Sequence, residues 1–125
     1  MEPLHKMKRI LVVDDEKLIR EGIQEALSEE GYTVFAAANG NEAIKALQVF
    51  IPDVIITDII MPEADGIEVL MNAKKLQPKP RIIAISGGGR ISANDHLATA
   101  RKLGADYILT KPFSIETLLE AIESQ

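Results

Sequence analysis

Five short apolar runs alternate along this chain with segments in which apolar residues recur three or four positions apart. Runs of this length suit strands, whereas the wider spacing places apolar side chains on one face of a helix. The predicted strands are Arg9–Val13, Thr33–Ala37, Val54–Asp58, Arg81–Ser86 and Tyr107–Thr110. Most of these runs are apolar at consecutive positions, as expected of parallel strands covered by helices on both faces. The alternation therefore predicts an α/β fold with five βα units and a doubly wound, five-stranded parallel sheet.

The segments between the runs carry helix-end signals as well as apolar stripes. Gly31 suits the left-handed position after the first predicted helix, and Ser114 is a candidate N-cap for the last. The apolar positions that define the five helices are Ile19, Ile23, Ala26 and Leu27; Ala43, Leu47 and Phe50; Ile67, Leu70 and Met71; Leu97, Ala100 and Leu103; and Ile115, Leu118, Leu119 and Ile122.

The chain length of 125 residues predicts one domain over residues 1–125, with a core from about residue 8 to residue 122. There is no cysteine, which excludes disulfides and thiolate metal sites. The apolar runs are too short to cross a bilayer, and no export signal follows Met1–Arg9. We expect a soluble cytoplasmic protein with no membrane partner. Because the chain stops just after the fifth predicted helix, we expect any output domain to be a separate polypeptide.

The charge balance argues against nucleic acid as a partner. The formal net charge is -5, whereas nucleic-acid surfaces need clustered Lys and Arg. The chain also has no tryptophan and few other aromatic residues with which to stack bases.

Polar residues collect at the predicted carboxyl ends of four strands. Asp14 and Asp15 follow the first, Asp58 ends the third, Ser86 ends the fourth and Lys111 follows the fifth. These ends meet at one edge of a doubly wound sheet, where such folds bind ligands. Three neighbouring aspartates repel one another unless a cation lies between them, and an all-oxygen ligand set favours Mg²⁺.

The same edge suits phosphoryl transfer. Lys111 supplies a fixed positive charge and Ser86 a hydroxyl donor, both suited to an oxyanion beside Asp58. A carboxylate can attack phosphorus to form an acyl phosphate, and the rest of the catalysis is positioning and charge stabilisation. Asp58 is therefore the candidate nucleophile.

These motifs resemble the CheY-like receiver domains of bacterial response regulators. The markers are the segments 12–16 (VVDDE) and 58–66 (DIIMPEADG), then Ser86, 104–106 (GAD) and 111–113 (KPF), and the resemblance runs from Lys8 to about Ile122. It implies the flavodoxin-like strand order 2-1-3-4-5 and a cis peptide bond at Lys111–Pro112.

The resemblance also implies a signalling module rather than an enzyme. Asp58 would accept a phosphoryl group from a sensor histidine kinase or a histidine phosphotransfer protein, and the domain would control a separate downstream protein as a monomer or weak dimer. Asp15, Asp58 and the backbone carbonyl of Ile60 would bind Mg²⁺, and Asp14 would act largely through water. Ser86 and Lys111 would contact the phosphoryl oxygens.

Two other functions use related chemistry. A small Mg²⁺-dependent phosphatase with an aspartyl nucleophile would normally carry that nucleophile on strand one and need a general acid nearby. A flavodoxin-like cofactor carrier would need a Ser/Thr-rich phosphate loop after strand one and aromatic residues around the ring. Here the candidate nucleophile Asp58 is on strand three, and the phosphatase is kept as the alternative function. The aromatic residues that a flavin carrier needs are missing, and the acidic residues after strand one would repel its phosphate.

Some features depart from the resemblance or add nothing to it. Where relatives commonly carry an aromatic residue three positions before the lysine, this chain has Ile108, and alternation turns Tyr107 to the opposite face. The interval from Ser86 to Lys111 is longer than usual, and we expect the glycine-rich segment 87–92 to carry most of the change on phosphorylation. Its sequence lacks the lysine of a Walker loop.

His5 and His96 are expected to be exposed, without a role.

Overall fold

Five parallel strands form one sheet in the computed structural model, which describes residues 8–58, 65–86, 98, 101–102 and 104–124. The strands are β1 (Arg9–Val13), β2 (Thr33–Ala37), β3 (Val54–Asp58), β4 (Arg81–Ser86) and β5 (Tyr107–Thr110). The helices with defined bounds are α1 (Lys17–Glu29), α2 (Gly40–Leu47), α3 (Asp65–Lys74) and a C-terminal helix (Ile115–Glu123). The sheet order is β2-β1-β3-β4-β5, which confirms the predicted fold class and strand order.

Each face of the sheet is covered by its own hydrophobic layer. Alternate residues of β1, β3 and β4 pack with α2 and α3 on one face, and the intervening residues pack with α1 and the C-terminal helix on the other. Tyr107 belongs to the α1 side and Ile108 to the α2 side, as the alternation predicts. Since both faces are buried, the central strands carry apolar residues at consecutive positions.

The predictions hold in position for the four helices with defined bounds, but not in every detail. The apolar positions predicted for the fourth helix, Leu97, Ala100 and Leu103, lie outside the described residues. Phe50 lies beyond the end of α2, although it still packs against the core, and Met71 on α3 is 47% exposed. Of the predicted fourth helix, Ala98, Arg101 and Lys102 are described and helical. The glycine-rich segment 87–92, Ile60, His5 and His96 lie outside the described residues. Among the described helices, no one combines the length and apolar character needed to cross a bilayer.

The register of the sheet brings the carboxyl ends of four strands together. Val13 pairs with Thr57, so that Asp14 follows beside Asp58, and Ser86 pairs with Thr110. The backbone N–H of Lys111 donates to the Ser86 carbonyl at 2.8 Å, which continues the β4–β5 pairing by one residue. The pairing of the strands therefore positions the backbone of Asp14, Asp58, Ser86 and Lys111 at one edge of the sheet.

The segment after Lys111 passes through a cis bond at Pro112, as the resemblance implies, and enters the C-terminal helix at Ser114. The Ser114 Oγ accepts the N–H of Thr117 at 3.1 Å, which confirms the predicted N-cap. We expect Ser114→Ala to lower the free energy of unfolding by about 1 kcal/mol, since it leaves that helix N–H without its acceptor. Urea denaturation measures the change, with exposed Ser28→Ala in the last turn of α1 as the control. Equal losses in the two variants would contradict the cap assignment.

Candidate functional site

Asp58 ends the central strand and is almost completely buried. All five residues of β3 are buried, and Asp58 keeps only 3% of its surface exposed. Its Oδ2 accepts a hydrogen bond from Lys111 Nζ at 3.0 Å. The positive charge of Lys111 offsets part of the cost of burying this carboxylate, and a carboxylate oxygen can act as a nucleophile.

Lys111 reaches three carboxylates with one ammonium. Its Nζ lies 3.0 Å from Asp58 Oδ2, 3.0 Å from Glu16 Oε1 and 3.1 Å from Asp14 Oδ2, and its side chain is 15% exposed. Burial acts most strongly on its pKa and lowers it, but the hydrogen bonds to Asp58 and Glu16 and the charges of Asp58 and Asp14 together raise the pKa above its ordinary value. The ammonium is therefore charged throughout the physiological range.

Asp14 has different partners on its two oxygens. Its Oδ1 accepts the backbone N–H of Glu16 at 2.8 Å, and Arg20 donates to its backbone carbonyl at 2.9 Å. Its Oδ2 is buried and receives no hydrogen bond within the described part of the chain. Lys111 Nζ lies 3.1 Å from that oxygen and forms an ion pair with it. Asp14 Oδ2 therefore keeps a lone pair for another ligand.

The acidic segment after β1 differs from the sequence expectation in one respect. The carboxylates whose oxygens lie within 4.8 Å of one another in the described residues are those of Asp14, Glu16 and Asp58. Asp15, predicted as a metal ligand, has an exposed side chain and is not in this group. Glu16 was missed. The available signal was its identity at a helix start, where glutamate is not a favoured cap.

Ser86 lies at the carboxyl end of β4 and is completely buried. Within the described residues its Oγ has no hydrogen-bond partner. An unpaired buried hydroxyl costs roughly 1–3 kcal/mol, so such a group normally has a ligand or water to bind. This is the property expected of a donor reserved for an oxyanion.

The donor set fits a hard divalent cation. Three carboxylates face one ammonium, so the cluster retains an excess of negative charge that a second cation would reduce. All the donors are oxygen atoms, which favours Mg²⁺ or Ca²⁺ over softer ions. Asp14 Oδ2 lies in this cluster and receives no hydrogen bond from the described residues, so it can interact with the ion, directly or through water.

Comparison with known proteins identifies one family. The chain matches the response regulator receiver domain over residues 10–123. It is 37% identical over 117 residues to the transcriptional regulatory protein PdtaR of Mycobacterium tuberculosis, with 93% of this chain and 55% of PdtaR covered. The chain thus spans about half the length of the curated relatives it matches.

Solved structures give the same result. A response regulator receiver domain protein from Clostridium thermocellum has a TM-score of 0.83 and 33% identity, with 93% of this chain and 91% of that chain covered. A response regulator from Burkholderia pseudomallei, solved with a phosphorylated aspartic acid and a calcium ion, has a TM-score of 0.82 and 30% identity, with coverage of 94% and 67%.

The match with the receiver model extends over nearly the whole chain and includes Asp14, Asp58, Ser86 and Lys111. The fold is that of the matched structures, as the TM-score of 0.83 shows. This chain belongs to the response regulator receiver domains, the signalling modules of two-component systems.

Proposed function

We propose that this domain accepts a phosphoryl group on Asp58 in a Mg²⁺-dependent reaction, and that the resulting acyl phosphate controls its binding to a partner protein. The observation that carries the proposal is the buried Asp58 carboxylate, held at 3.0 Å by Lys111 at the carboxyl edge of the sheet. The buried hydroxyl of Ser86 at the end of the neighbouring strand, which has no hydrogen-bond partner among the described residues, supports it.

The proposed reaction is a single displacement at phosphorus. An Asp58 carboxylate oxygen attacks, the new P–O bond forms, and the bond to the donor breaks with its electron pair leaving on the donor. Lys111 and Ser86 then donate to the phosphoryl oxygens, where negative charge accumulates. When bound, Mg²⁺ would supply further charge neutralisation at those oxygens.

The proposed metal ligands are Asp14, Asp15, Asp58 and the backbone carbonyl of Ile60, with Asp14 contributing largely through water. Asp14 and Asp58 are buried side by side, which supports their part in this set. Asp15 is exposed and adjoins both Asp14 and Glu16, so it would have to turn inward to bind the ion.

The assignment of Asp15 can be tested by metal binding alone. We expect Mg²⁺ to raise the melting temperature of the wild type, because a ligand that binds only the folded state stabilises it. Asp15→Asn should weaken Mg²⁺ binding about tenfold, by loss of one charged oxygen ligand. Exposed Glu25→Gln on α1 removes the same charge away from the site and should change little. Equal Mg²⁺ affinity in the wild type and Asp15→Asn would exclude Asp15 as a ligand.

The proposed donor is a histidine kinase or a histidine phosphotransfer protein, and the proposed target is a separate protein in the cytoplasm. An open groove of about 880 Å³ beside Lys111 supports a protein donor. Leu18, Ile19 and Phe113 give it apolar walls, and Leu18 is 84% exposed. A histidine phosphodonor bound in this groove would lie next to the Asp58 end of the sheet.

The function is tested with a small phosphodonor, which needs no partner protein. After incubation with acetyl phosphate and Mg²⁺, the intact mass should rise by one phosphoryl group, and the added group should be lost on treatment with hydroxylamine, as acyl phosphates are. Chelation of Mg²⁺ by EDTA should prevent the gain. A mass gain that survives hydroxylamine, or none under any of these conditions, would contradict the proposal.

A further inference from the structure

Glu16 stands at the N-cap of α1 without capping the helix. Its backbone is extended, with φ -87 and ψ 110, and its side chain makes no cap hydrogen bond. The N-caps of α2 and the C-terminal helix are Asn39 and Ser114, and both accept a helix N–H. Because Ser, Thr, Asp and Asn are the favoured caps, helix formation does not explain a glutamate at this position.

The Glu16 side chain binds Lys111 instead. Glu16 Oε1 accepts from Lys111 Nζ at 3.0 Å, while the backbone N–H of Glu16 donates to Asp14 Oδ1 at 2.8 Å. Asp14 thus holds the backbone from which the Glu16 carboxylate extends over the ammonium. The same ammonium donates to Asp58 Oδ2, also at 3.0 Å.

A phosphoryl group on Asp58 would compete for this ammonium. Of the three carboxylates that share it, Glu16 is 60% exposed at its side chain, whereas Asp14 and Asp58 are 1% and 4% exposed. Release of Glu16 into water costs least, because an exposed ion pair is weak and a solvated carboxylate needs no other partner. The negative charge of Glu16 also repels an arriving anion.

We propose that Glu16 is a positioning residue that holds Lys111 in the unphosphorylated domain and opposes its transfer to the phosphoryl group on Asp58. The inference rests on the proposed function, since it requires Lys111 to contact that group. Glu16 then weakens binding of any phosphoryl-like anion at the site, and it does so without serving as a metal ligand.

Beryllofluoride, which binds an aspartate as a phosphoryl mimic, provides the test. Its affinity at saturating Mg²⁺ can be measured by fluorine NMR on the wild type, Glu16→Gln and the control Glu21→Gln, an exposed glutamate of α1. We expect about two- to fivefold tighter binding in Glu16→Gln, the effect of losing one exposed ion pair, and none in the control. The difference should shrink at high salt, since exposed charges are screened.

Two results would overturn the inference while leaving the proposed function intact. One is beryllofluoride affinity in Glu16→Gln equal to or weaker than that of the wild type. The other is a loss of Mg²⁺ affinity in Glu16→Gln as large as that in Asp58→Asn, which would make Glu16 a metal ligand. Failure of the wild-type domain to bind beryllofluoride would instead overturn the proposed function together with this inference.

Discussion

The Asp58→Asn variant should gain no phosphoryl group from acetyl phosphate under conditions that label the wild type fully. The amide that replaces the carboxylate carries no charge and is too weak a nucleophile to form an acyl phosphate. The side chain keeps its shape and one oxygen that can accept from Lys111, so we expect the fold to be retained. Intact mass measured over the same time course records the loss.

Asp53→Asn is the matched control, because Asp53 precedes the first residue of the same strand at the opposite edge of the sheet. Its carboxylate accepts the backbone N–H of Arg9 at 2.8 Å, and asparagine can still do so through its oxygen. This variant should be labelled at the wild-type rate. If Asp58→Asn is labelled as fast as the control, another residue is the phosphoacceptor.

The second large effect is expected from Lys111→Met measured in EDTA. The substitution keeps most of the side-chain volume and removes the ammonium shared by Asp14, Glu16 and Asp58. We expect a loss of about 2 kcal/mol in the free energy of unfolding, below the roughly 3–5 kcal/mol of a fully buried pair, because Glu16 remains in water. Added Mg²⁺ should recover much of the loss by restoring positive charge.

The control for this loss is Lys79→Met. Lys79 also pairs with an aspartate, Asp106, at 3.5 Å, but these side chains are 39% and 41% exposed. Its substitution should cost less than about 0.5 kcal/mol, as is usual for exposed ion pairs. Equal losses from the two substitutions would show that the buried carboxylates do not depend on Lys111.

The difference in unfolding free energy between the wild type and Lys111→Met should depend on pH, because the pKa of Lys111 is raised in the folded state. A group with a raised pKa in the folded state contributes its full stabilisation below its unfolded pKa, which is about 10.4 for lysine. That contribution disappears only as the pH rises through the higher folded pKa. The stability difference between wild type and Lys111→Met should therefore stay constant from about pH 7 to pH 9 and decrease above about pH 10.4.

The central strands β1, β3 and β4 could be predicted most directly from sequence, because each is covered on both faces. A buried parallel strand must be apolar at consecutive positions, and such runs stand out between polar segments. The order of the strands could not be predicted from the same signal, because apolar content does not determine which strands pair. That order came from the resemblance of the motifs around Asp58 and Lys111 to a known family.

The sequence was sufficient to predict which site residues lie at the carboxyl ends of the strands. Asp14, Asp58 and Lys111 meet because parallel strands end at one edge, and this requires no knowledge of rotamers. The ranking of Asp14, Asp15 and Glu16 could not be obtained in this way. In a loop that leads into a helix, the backbone dihedral angles decide which of three adjacent acidic residues turns inward, and composition does not determine them.

The alternation of side chains along β3 and β4 has a consequence for how a signal would spread. Asp58 continues the series of Val54 and Ile56, which pack with α1 and the C-terminal helix, whereas Ser86 continues the series of Ile82 and Ala84, which pack with α2 and α3. A phosphoryl group bound by both residues would bridge the two hydrophobic layers at the rim of the sheet. A packing change in either layer would then alter the response, so that distant core substitutions become a means of tuning the sensitivity of the switch.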